Sequence, residues 1–156
     1  MTGMHIAELN IGKLRYPPDD PRMAEFMENL GRINALAERA KGFIWRLQGD
    51  GDGAIDIFHP DHPDTNVNLS VWETPEDLEA YVFKTVHAQF YRRKPDWFEM
   101  PTETSFVMWP VAIGHRPTVI EAFERLEHLR THGPSEHAYG WEALPHLKDW
   151  MEKRCA

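Results

Sequence analysis

Cysteine is nearly absent: Cys155 is the only one in 156 residues. No internal disulfide and no cysteine-based metal site can form, and a reducing, cytoplasmic setting is the expectation. Long apolar runs are missing too, and no stretch approaches the ~18 residues of a membrane span. The opening "MTGMHIAELNIG" has neither the basic nor the apolar segment of a secretory leader. Positive charge is scarce, with 17 Lys and Arg against 25 Asp and Glu and a formal net charge of −8. Binding to nucleic acid needs a basic stripe that neutralises phosphates. The only dense basic run is Arg92-Arg93-Lys94, which suits a solvated helix end or a site-lining arginine. Nucleic acid is therefore not an expected partner. There is no Gly-rich nucleotide loop, no G-x-S-x-G elbow and no C-x-x-C-H haem attachment site.

What is present suits one domain. The chain is 42% hydrophobic and 12% aromatic, and aromatics serve both cores and small-molecule pockets. "HIAELNIG" alternates and predicts a first strand over residues 5–12, with Ala7 and Leu9 on one face and Glu8 and Asn10 on the other. Asp20 and Pro21 open a helix carrying Met23, Phe26, Met27, Leu30, Ile33 and Ala37, and Gly42 is placed to stop it. "GFIWRLQ" predicts a second strand with Phe43, Trp45 and Leu47 on one side and Ile44, Arg46 and Gln48 on the other. A Gly-, Asp- and Pro-rich loop follows, then a third strand over 66–72. Thr74-Pro75 opens a helix with Leu78, Tyr81 and Val82 inward, and a further helical piece carries His87, Phe90 and Tyr91. "TSFVMWPVAIG" predicts a fourth strand, at an edge because of Pro110. "HRPTVIEAFERLEHLRTHG" predicts a last helix ending at Gly133, before a short strand around Ala138–Trp141 and a helical end.

This order is the α+β ferredoxin-like split-βαβ pattern: one antiparallel sheet with helices on one face. The chain reads as a single domain, core 5–133 with a C-terminal extension 134–156. The apolar strand faces (Leu9, Trp45, Val71) are expected against the helices. The mixed face then carries Glu8, Asn10, Arg46, Asn68, Ser70 and Trp72, with Trp109 joining from the last strand. Exposed tryptophans forgo roughly 25 cal/mol per Å² of burial. A second sheet laid on that face, in a homodimeric barrel, or the tail folded over it would shelter them and enclose a partly polar pocket.

"SVWETPEDLEAYVFKTVHAQFYRR", with "HIAELNIG", "DDPRMAEF", "INALAERAKGFIWRL", "YRRKPDWF" and "GHRPT", resembles an uncharacterised bacterial family of the dimeric α+β-barrel superfamily. That superfamily includes antibiotic-biosynthesis-monooxygenase-like domains. The resemblance implies oxidation of an aromatic or polyketide-like small molecule, in natural-product biosynthesis, with no cofactor required. A non-redox cyclase, isomerase or lyase, a non-covalent haem enzyme and a small-molecule carrier remain alternatives, since fold does not settle function.

Candidate catalytic residues are His115, beside Gly114 in "GHRPT", His87 and Arg46. A histidine that merely caps its own loop is the plainer reading of His115. An Arg46–Glu8 ion pair is the plainer reading of Arg46, because a cation on an inner face needs a partner. Asn68 and Ser70 would orient substrate and Trp72 and Trp109 would shape the cavity, with Glu8 and Asn10 beside them. Arg92 and Trp97 are candidates for the entrance. "HPDHPD" (His59, Asp61, His62, Asp64) has metal-like residues but lacks a firm scaffold for about four ligands, so no metal is expected.

Overall fold

The computed structural model describes residues 3–48, 58–59, 62–85 and 87–143; for 58, 59 and 62–64 it describes the backbone alone. Strand β1 (Met4–Lys13) leads to helix α1 (Ala24–Arg39) and strand β2 (Phe43–Arg46). A two-residue strand β3 (Phe58–His59) precedes β4 (His62–Trp72). Helices α2 (Pro75–Lys84), α3 (His87–Arg92) and α4 (Lys94–Trp97) follow, then β5 (Phe106–Ala112) and α5 (Val119–His132). The sheet order is β2-β4-β1-β5, with β3 paired to β4 and every pairing antiparallel. Leaving out β3, this is the ferredoxin-like α+β arrangement: β1 and β2 flank β4, and β5 closes the other edge. Pro110 lies in that edge strand, where the ladder loses least from its missing N–H.

The helix starts follow the local chemistry. The Asp20 carboxylate accepts the Arg22 amide at 2.9 Å, ahead of a 3-10 turn (Pro21–Met23) that runs into α1. Thr74 Oγ1 accepts the Asp77 amide and Thr118 Oγ1 the Glu121 amide, each at 3.1 Å. Gly42 (φ +85°) turns the chain from α1 into β2, and Gly133 (φ +77°) stops α5.

The register fixes the two faces. Ile6 stands opposite Trp72, Glu8 opposite Ser70 and Asn10 opposite Asn68, so these six share one side. Ala7, Leu9, Leu69 and Val71 share the other. Helices α1 and α2 lie together on one face, as the fold pattern requires, but on the mixed face and not the apolar one. Ala37, Leu78, Tyr81 and Val82 pack there with Ile6, Trp72 and Met108. The apolar face meets α5 instead, through Ala122, Leu126 and Leu129. Trp72 is thus 1% exposed inside one chain, without a second sheet.

Two side chains change face relative to the sequence reading. Trp109 pairs with Ala7, so it points to the α5 side, away from Trp72. A bulge between Phe43 and Trp45 places Phe43 opposite Trp72 and Trp45 opposite Val71. Phe43 therefore joins the mixed face while Trp45 stays on the apolar one, and the extra residue Ile44 is 40% exposed. The chain after α5 returns along β5, where Tyr139 bridges to Met108, before a 3-10 turn (Trp141–Ala143). The predicted helical end beyond 143 lies outside the described residues.

Candidate functional site

Between the mixed sheet face and helices α1–α4 lies a cavity of about 230 Å³. Helix α1 spans it like a bridge, with only Ile33 and Ala37 fully buried. The floor is polar. Glu8, mid-way along β1, is 5% exposed, and Ser70 across the ladder is 6% exposed. The Ser70 hydroxyl donates to Glu8 Oε1 at 2.6 Å, and Trp72 Nε1 donates to Ser70 Oγ at 2.9 Å. Indole N–H can only donate, so Ser70 Oγ is the acceptor in its contact with Trp72. The Ser70 proton is then available to Glu8 Oε1, and Glu8 Oε2 has no hydrogen bond among the described residues.

Burial pushes the Glu8 carboxyl up to about 8, against the opposing effects of the Ser70 hydrogen bond and the Lys94 charge. A carboxyl removed from water favours its neutral form. Tyr81 donates its hydroxyl to the Ile33 carbonyl at 2.8 Å, and burial followed by nearby Glu8 raises it above the usual phenol range. It stays neutral. Burial lowers His87, whose Nδ1 is 3.2 Å from the Val82 carbonyl. That contact selects the Nδ1–H tautomer and leaves Nε2 as an acceptor.

The walls are aromatic. Trp72 meets Phe43 edge-on and stacks on Tyr81, both at 5.4 Å between ring centres. Trp141 from the C-terminal extension stacks on Phe106 at 4.8 Å, so the extension contributes directly to the cavity. Asn10 and Asn68 face each other across the β1–β4 ladder on the wall.

Of the residues singled out in the sequence, Glu8, Asn10, Arg46, Asn68, Ser70, Trp72, His87 and Trp97 come together around this one space. Three do not. His115 Nε2 lies 2.6 Å from Glu121 Oε1, and Glu121 Oε2 accepts Trp109 Nε1 at 3.0 Å. That cluster ties the β5–α5 loop to the first turn of α5, on the far side of the sheet. Arg92 is exposed at the end of α3 and is not on the cavity wall. Arg46 does reach the wall, but its ion partner is Glu38 on α1 at 3.1 Å, not Glu8. Lys94 and Tyr81 were not singled out as site residues. The signal for Lys94 was its place before Pro95, where the chain bends and one residue of the basic run turns inward.

The His59, Asp61, His62 and Asp64 side chains lie outside the described residues. Among the described residues, no group of three or more His, Cys, Asp or Glu side chains is placed to hold a metal. Among them, too, no helix is long and apolar enough to cross a membrane.

Residues 5–155 match the family described as "Domain of unknown function (DUF3291)". The chain belongs to the DUF3291 family. No curated protein matches this DUF3291 chain in sequence. Solved structures similar to it include a Nitrosomonas europaea protein provisionally assigned as an antibiotic biosynthesis monooxygenase. That pair is 19% identical over 76% of this chain and 96% of the other, with a TM-score of 0.44. SnoaB, a cofactor-independent oxygenase from Streptomyces nogalater, is 15% identical over 74% and 96%, with a TM-score of 0.44. A conserved protein from Methanosarcina mazei Go1 is 12% identical over 70% and 93%, with a TM-score of 0.48. The fold of this DUF3291 chain rests on its own strand order and register.

Proposed function

We propose that this chain is an enzyme that moves a proton on a small, flat, aromatic or polyketide-like molecule, with Glu8 as the acid–base group. One observation carries the reading: a buried carboxyl in mid-sheet, with one oxygen held by Ser70, on the wall of an aromatic cavity. Its shift to about 8 makes Glu8 a stronger base than an ordinary carboxylate, and it titrates near neutral pH. The ionised fraction of Glu8, which grows as pH approaches about 8, would take the proton from a phenol, an enol or an activated C–H, and the neutral form would return one. Ser70, fixed by Trp72, would hold the carboxyl in place. Asn10 and Asn68 would hold the oxygens of the substrate, and Trp72 and Phe106 its flat faces. His87, neutral, offers a second acceptor at the wall.

The oxidation implied by the sequence resemblance extends the same step. A phenol deprotonated by Glu8 is electron-rich enough to reduce dioxygen. One dioxygen converts the phenol to a quinone, placing one oxygen atom in the product and releasing the other as water. The substrate supplies the electrons, so no bound cofactor is required. A homodimer, a cytoplasmic setting and a role in natural-product biosynthesis belong to this proposal as well. The lining described above comes from one chain and depends on none of them.

The test uses naphthols and cyclic 1,3-diketones in deuterated buffer. Exchange at carbon is followed by NMR while dissolved oxygen is monitored. The wild-type chain should speed exchange and Glu8→Gln should not. Oxygen uptake together with quinone formation would select the oxidative version. Equal exchange rates with the two proteins would reject Glu8 as the acid–base group.

A further inference from the structure

Among the described residues, the cavity wall carries a cation with no ion-pair partner. Three charged side chains reach the wall: Glu8, Arg46 and Lys94. Arg46 is paired with Glu38. Glu8 is held in its neutral form by burial at pH values below about 8. The Lys94 ammonium has no hydrogen bond or ion pair among the described residues, and the Tyr91 ring lies 5.9 Å from Nζ to the ring centre. The rest of the basic run is occupied differently. Arg93 pairs with Glu25 and Asp96 and lies over the Trp97 ring, while Arg92 is exposed. Lys94 alone turns inward.

We propose that the cavity selects an aromatic carboxylate and that Lys94 is the group that binds its charge. The inference rests on the reading of the cavity as a substrate site and adds the class of substrate. A cation taken from water without a partner is costly, and a ligand carboxylate supplies the partner. Burial lowers the Lys94 ammonium from its ordinary range, and Glu8 opposes that shift. A permanent anion in the cavity would restore the charged form. The rings of Phe90, Trp97 and Phe98 line the same cavity as Lys94, so charge and flat apolar surface are offered together.

The test is a binding comparison at neutral pH between 2-naphthoate and 2-naphthamide, which match in shape and differ in charge. Quenching of the cavity tryptophans Trp72, Trp97 and Trp141 reports occupancy of the full-length chain. The expected result is that naphthoate binds about tenfold or more tightly than the amide, the scale of one charge-assisted hydrogen bond. Lys94→Met should abolish that preference while the amide still binds, which shows that the variant remains folded. Equal binding of acid and amide to the wild type would overturn the inference and leave the site reading standing. So would a preference that survives in Lys94→Met. Failure of both probes to bind the wild type would overturn the two together.

Discussion

The Ser70 hydroxyl donates to Glu8 Oε1 across the β1–β4 ladder at 2.6 Å, with both residues more than nine-tenths buried. The relationship comes straight from register, because Glu8 and Ser70 are direct cross-strand partners on the face covered by α1 and α2. A slip of one residue in either strand would turn that strand's member of the pair to the α5 side and break the polar floor.

The raised Glu8 pKa makes stability depend on pH. The carboxyl moves from 4.5 to about 8 on folding, so between those values the native state keeps a proton that the unfolded chain has released. Stability from this group is complete below about 4.5 and is lost as pH rises toward 8. Glu8→Gln removes the dependence while keeping the shape of the neutral acid. The unfolding free energy of the wild type, measured against this variant in urea, should fall by about 2–4 kcal/mol between mildly acidic and mildly alkaline buffer. Parallel pH curves would argue against a neutral Glu8.

Ser70→Ala should destabilise the fold by about 1–3 kcal/mol, because it leaves Trp72 Nε1 and Glu8 Oε1 without partners in a buried place. It should also push the Glu8 titration further up, since the Ser70 hydrogen bond holds it down. Denaturant melts and a carboxyl titration of the variant measure the two effects separately.

His115→Ala should leave proton exchange and probe binding unchanged. His115 pairs with Glu121 beyond the opposite sheet face and is absent from the cavity wall. The cost should be small, about 0–1 kcal/mol, because the pair is substantially exposed. Loss of turnover in a folded His115→Ala protein would return His115 to the site.

Gly42→Ala should destabilise by about 1–3 kcal/mol. The φ of +85° disfavours any L side chain, and an added Cβ would run into the Asp77 carboxylate in the first turn of α2. A melt unchanged within error would contradict that packing.

Much of the fold could be read from the sequence because its signals are local. Strand β1 was expected at 5–12 and spans Met4–Lys13, and the caps at Asp20 and Thr74 and the stops at Gly42 and Gly133 come from one or two residues each. The start of β4 was hidden because His62–Thr65 reads as loop by composition, yet Thr65 pairs with Lys13. Period-two alternation says which residues share a face but not which helix covers it, so the helices were assigned to the wrong side. Trp109 was placed with Trp72 for a related reason: alternation within β5 does not give its register against β1, and that register puts Trp109 opposite Ala7. The bulge at Ile44 leaves no mark in an alternating run. The polar floor of the site was legible because Glu8, Asn10, Asn68 and Ser70 interrupt apolar strands. The inward turn of Lys94 was not, because it depends on how α3 and α4 pack over the sheet.

The central claim is that Glu8 is a protonated carboxyl facing the cavity at neutral pH. Infrared difference spectra between the wild type and Glu8→Gln test it most directly, across a titration from mildly acidic to alkaline buffer. The account predicts one protonated-carboxyl band in the wild type at neutral pH, missing in the variant and fading as pH passes about 8. A wild-type spectrum in which that carboxyl is already ionised at neutral pH would contradict it.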